Sequence, residues 1–140
     1  MNQGPESLPS EGEENRRQLT TILCLAIGFV VWVAISIASG TEHEGRFHVR
    51  EAWDTPVYFW LGLPVLAVCA GIASFISAAS VWRWPLMIAL GQAAGMIVAH
   101  PDGTSLALLP FTALFMAIPL MVPLVLAASF GRMLSSMLAR

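Results

Sequence analysis

The chain has 140 residues, 56% hydrophobic and 11% charged, with a formal net charge of −2 and a mean hydropathy of +0.71. Soluble domains carry roughly 25% charged residues, and so short a chain has too little interior to hide its long uncharged runs from water, so lipid must cover them. The seven basic residues are all arginine and nine acids outweigh them, which excludes a broad basic footprint for nucleic acid. Cys24 and Cys69 sit in separate apolar runs with no CxxC, which excludes a disulfide framework or a thiol redox motif.

Residues 1–18, with Gly4, Pro5, Pro9, Gly12 and the acids Glu6, Glu11, Glu13 and Glu14, have the composition of a disordered cytoplasmic tail. A helical transmembrane domain is expected over residues 19–132. Its first span, residues 20–39, is uncharged, and at 1.5 Å rise such a run reaches about 30 Å, the thickness of the hydrocarbon core. Arg16 and Arg17 before it, with Ser36 and Ala38 near its end, raise the alternative of a cleaved signal peptide; the length of the run and Trp32 within it argue for a retained helix.

Residues 40–54 form the one charge-rich connection, and Thr55 with Pro56 reads as an N-cap followed by proline at the first helical position. The second span is then residues 56–80. The linker Val81-Trp82-Arg83-Trp84-Pro85 places an arginine between two tryptophans, side chains that favour the headgroup zone, so spans two and three form a hairpin. The third span, residues 84–100, has an uncharged core of only Leu86 to Ala99, about 21 Å as a helix, and a re-entrant segment is its alternative.

His100-Pro101-Asp102-Gly103-Thr104-Ser105 has the residues of a turn, and the fourth span follows at residues 106–130, ahead of a short cytoplasmic tail, residues 133–140. Pro110, Pro119 and Pro123 lie in this span, and the last two remove backbone donors from one face, which predicts a kink. Arg16, Arg17, Arg83, Arg132 and Arg140 flank one side of the spans against Arg46 and Arg50 on the other, so both termini are expected in the cytoplasm. That topology makes Trp53, Tyr58 and Trp60 outer interfacial anchors and Trp82, Arg83 and Trp84 inner ones.

His43, His48 and His100 then share the outer face with Glu42, Glu44, Glu51, Asp54 and Asp102, nitrogen and oxygen donors that suit a divalent metal or a pH response. The five-residue spacing of His43 and His48 fits no HExxH or HxH pattern, so a solvated loop is the simpler expectation and no metal or cofactor is assigned. If residues 46–54 are helical, Arg50 and Asp54 pair while Val49, Ala52 and Trp53 share a membrane-facing side.

The spans contain no Asp, Glu, Lys or Arg, which removes the buried carboxylate that proton-coupled transport usually needs. Gln92 is the one carboxamide in a span, flanked by a ridge of Gly91, Gly95 and Ala99 that invites close helix packing with Gln92 bonding across the contact. Ala34 with Ala38, and Ala67 with Gly71, repeat the small-xxx-small spacing, and whether these contacts lie within the bundle or between protomers stays open at this level. The methionines read as packing residues rather than a copper conduit. No GxSxG, Walker loop or GxGxxG is present, so no enzyme activity is expected.

Glu51-Ala52-Trp53-Asp54 with Tyr58, then Trp82-Arg83-Trp84, Gly91-Gln92 and Leu108-Leu109-Pro110, resemble a family of small uncharacterised four-span bacterial inner-membrane proteins. The resemblance covers residues 51–110; it implies a four-span bacterial inner-membrane protein and no activity or ligand. The leading expectation is an all-α, multi-pass, non-enzymatic membrane protein, surrounded by lipid, that packs against itself or a membrane partner. The alternatives are a small channel or facilitator running past Gln92 and the carbonyls freed by Pro119 and Pro123, and a metal or pH sensor on the first loop.

Overall fold

The helix α1 (Glu11–Ala38) begins inside the segment expected to be a disordered tail. Glu11, Glu13 and Glu14 stand in its first turn, where carboxylates complement the positive end of the helix dipole, and Arg17 pairs with Glu13 one turn back at 2.5 Å. These local terms extend the helix N-terminally beyond the apolar run. In this computed structural model the described residues are 11–43, 46–48, 52–77, 80–99 and 104–139, with 41–43, 46–48 and 104–118 given as backbone. The start of the tail, His100, and Arg50 with its expected partner contact lie outside them.

The first connection opens with a two-stranded antiparallel ribbon, β1 (Thr41–His43) with β2 (Arg46–His48), in which Thr41 faces His48 and His43 faces Arg46. The surface helix considered for residues 46–54 is therefore not formed by its described parts, which are a strand at Arg46–His48 and a 3₁₀ turn at Ala52–Asp54. Thr55 also departs from its expected capping role, because its hydroxyl donates to the Ala52 carbonyl at 2.8 Å.

The second helical segment enters through a π-helical turn, Tyr58–Gly62, before becoming α2 (Leu63–Ile76). Its mark is the Leu63 N–H donating to the Tyr58 carbonyl five residues back. Pro64 is the physical cause, since it lacks an N–H and its ring would collide with the carbonyl of Trp60 in a regular α-helix; widening the turn relieves both. The helix stops at Ile76, short of the expected residue 80, where Ser77 turns to an extended conformation (φ −126°, ψ 120°).

α3 (Arg83–Ala99) is one unbroken helix of 17 residues, about 25 Å long. α4 (Thr104–Leu138) runs for 35 residues, helical through all three prolines and through most of the expected C-terminal tail. Among the described residues three helical segments, Glu11–Ala38, Tyr58–Ile76 and Pro119–Leu138, are long and apolar enough to cross a membrane, with α3 shorter. The outward side chains agree: Trp60, Leu138, Leu126, Ile22 and Val98 are among many large apolar groups left exposed. In water that surface would drive aggregation; in lipid it is solvated.

The helices pack chiefly as two pairs, α1 with α3 and α2 with α4. Within the first pair a methyl added at Gly28 would overlap the Ile88 carbonyl, and one added at Gly91 would overlap the Leu25 carbonyl. Residue numbers rise together along this contact, since Gly95 meets Phe29 and Trp32, so α1 and α3 run in the same direction. In the second pair Gly131 abuts the Gly71 carbonyl and Gly71 faces that of Ala127. The two pairs close on a core of Cys24, Leu66, Ala70, Ala73, Trp84, Ile88, Leu124 and Ala128.

Candidate functional site

Two places in the bundle combine special geometry with side-chain chemistry. The first lies where α2 begins beside the C-terminal half of α1. The π-turn aims Tyr58 inward, where it is 4% exposed, and Gln92 Nε2 on α3 donates to its hydroxyl at 2.8 Å. Trp32 of α1 stacks edge-on to Tyr58 (ring centroids 6.0 Å apart) and to Trp53 (4.7 Å), and Ile35, Ala52 and Met96 complete the cluster. Hydrogen bonding here joins α3 to the entry of α2, while the aromatic contacts join α1 to that entry and to Trp53 of the 3₁₀ turn.

The opposite end is tied by Arg83. Its guanidinium donates to the Thr21 hydroxyl on α1 at 3.2 Å and lies 5.4 Å from the centre of the Trp84 ring, over its face. The Thr21 hydroxyl itself donates to the Arg17 carbonyl at 2.7 Å. A cation on an aromatic face contributes about 0.5–1 kcal/mol where solvent reaches it.

The second place is an outward groove between α2 and α4. Ala67, Gly71, Ala127 and Gly131 form its floor, and Val68, Ile72, Phe75, Phe130 and Leu134 form its walls, enclosing about 450 Å³. Every one of these side chains is apolar or absent. Val68, Ile72 and Phe130 are each more than half exposed, so the walls stand out from the bundle.

Of the residues singled out from the sequence, Gly91 and Gly95 pack on α1 and Ala99 is half-buried at the end of the same ridge. Their contacts lie within one chain. Gln92 turns inward with its amide engaged by Tyr58, while Pro119 is exposed and Pro123 half-buried, so these groups line no shared path among the described residues. Trp60 and Trp82 are exposed, as anchors would be, but Tyr58 and Trp84 are turned into the bundle, Trp84 with no exposed surface. Trp84 shares the buried face of α3 with Ile88, Gly91 and Gly95, so the phase of that helix fixes where its ring points.

His43 and His48 sit two register steps apart on the ribbon, and among the described residues no three His, Cys, Asp or Glu gather as a metal group. Sequence reasoning missed Gly28 and Gly131, each an isolated glycine with no GxxxG partner in its own helix, and it missed the Tyr58–Gln92 pair. Pro64 beside Gly62 was the available signal for the irregular turn that aims Tyr58. Comparison with protein-family models, curated proteins and solved structures gives no match.

Proposed function

We propose that the protein is a four-span, non-enzymatic component of a bacterial inner membrane, with both termini cytoplasmic, that works by lateral association between copies through the α2/α4 groove. The groove carries this reading. Its floor lies low because α2 and α4 close on each other at Gly71 and Gly131, and its rim supplies the large side chains Phe75, Phe130 and Leu134 that a facing groove would receive. A patch holding both knob and hole can pair with its own image about a two-fold axis. Further support comes from the interior, where the glycines of α1 and α3 and the amide of Gln92 are already committed to contacts inside the chain.

The test is to count subunits of fluorescently labelled protein in lipid vesicles as lipid is added. Ile72→Trp, at an outward wall position 53% exposed, fills the groove without entering the core. Wild type should give dimers that dissociate on dilution, and the variant should be monomeric at every dilution with an unchanged melting temperature. A monomeric wild type at the highest protein density, or a variant that dimerises as well as wild type, refutes the proposal.

A further inference from the structure

The cluster around Tyr58 holds more polar atoms than its protein contacts satisfy. The Gln92 carbonyl oxygen Oε1, the Trp32 indole Nε1 and the Ser36 hydroxyl are all enclosed and have no partner in the protein, in side chains 4%, 2% and 0% exposed. Tyr58 accepts from Gln92 Nε2, which leaves its own hydroxyl proton to be donated elsewhere.

Trp32 and Gln92 are brought together on Tyr58, by ring packing and by a hydrogen bond. The Trp32 Cδ1 atom, bonded to the indole nitrogen, lies against Gly95, one helical turn beyond Gln92 on α3, and the Trp32 ring stacks on the same Tyr58 that Gln92 bonds. Ser36 follows Trp32 by one turn on the same buried face of α1. The set includes donors (Trp32, the Tyr58 hydroxyl), an acceptor (Gln92 Oε1) and a group able to do either (Ser36).

Leaving a buried donor or acceptor unpaired costs on the order of the full desolvation of that group, and native proteins meet such sets with enclosed water making about three hydrogen bonds. A neutral molecule that both donates and accepts fits this mixture.

We propose that a resident water molecule accepts from the Trp32 indole and donates to Gln92 Oε1, with the Tyr58 hydroxyl completing its bonds, and so joins α1, α3 and the π-turn. This inference does not depend on the association proposed above. It is tested by NMR of the full-length protein in detergent micelles, following magnetisation transfer between water and the Trp32 Hε1 proton, assigned by its disappearance in Trp32→Phe.

Wild type should show transfer from a long-lived water at Trp32, and Gln92→Leu should abolish it while the signal from exposed Trp60 is unchanged. Tyr58→Phe, which keeps the ring against Trp32 and removes the hydroxyl, should shorten the lifetime of that water, and it carries the test if Gln92→Leu does not fold. Absence of transfer at Trp32 in the wild type, or transfer unaltered in both variants, overturns the proposal.

Discussion

Replacing Gly91 by alanine places a methyl group inside the Leu25 carbonyl, with the Leu25 carbon atoms beside it. All of these neighbours are backbone, so no side chain can swing aside. To regain an ordinary carbon–oxygen approach of about 3.3 Å the axes of α1 and α3 must separate by on the order of 1 Å, and a gap of that size forfeits a quarter to a half of each contact's dispersion energy. Overpacking at such a site costs about 1–3 kcal/mol.

Gly28→Ala strikes the same crossing through the Ile88 carbonyl. Once either methyl has parted the helices the second meets less resistance, so the double variant should lose less than the sum of the singles. Unfolding by denaturant in mixed micelles measures all three, with Gly12→Ala as control because its added methyl meets nothing within 4 Å. Gly91→Ala as stable as wild type, or strictly additive losses, would refute a backbone-to-backbone crossing at these glycines.

Tyr58→Phe strands the Gln92 amide in a buried site and should cost about 1–2 kcal/mol; a double-mutant cycle with Gln92→Leu should return a coupling near the roughly 0.6 kcal/mol typical of bonds between membrane helices. Trp84→Ala should lower stability by about 3–5 kcal/mol because it empties a fully enclosed site, whereas Trp60→Ala, at a position 84% exposed, should leave the unfolding midpoint nearly unchanged. In inverted membrane vesicles, a membrane-impermeant thiol reagent should label Gly12→Cys and Ser136→Cys from the cytoplasmic side and should not reach Glu42→Cys; labelling of Glu42→Cys alone would reverse the assigned orientation.

What hydropathy made legible was the presence of helices where charge is missing, because length and lack of charge are local properties. The ends were legible only where a local signal was strong. Ser77 stops α2 early, and the acids of the first turn start α1 early, and both effects are small beside the apolar runs that set the expectation. The packing role of Gly91 and Gly95 could be read from their spacing, but their partners could not, because Leu25, Phe29 and Trp32 lie on a helix 63 to 66 residues earlier. Trp84 shows the same limit: a tryptophan beside an arginine looks interfacial until the rotation of α3 about its axis is known. The partnership of Tyr58 with Gln92 needs both that rotation and the extra backbone width imposed by Pro64.

The crossing of α1 and α3 is reciprocal, and reciprocity implies symmetry. Gly28 meets the carbonyl three residues before Gly91, and Gly91 meets the carbonyl three residues before Gly28, which is how two copies of one segment touch across a two-fold axis. The segments themselves agree, Leu-Ala-Ile-Gly ending at Gly28 and Ile-Ala-Leu-Gly ending at Gly91. In the other pair Leu66, Ala70 and Ala73 are buried, as are Leu124, Ala128 and Gly131, each 58 residues further on. The pairs α1 with α3 and α2 with α4 therefore each meet in matching register, as the two arms of a two-fold arrangement do.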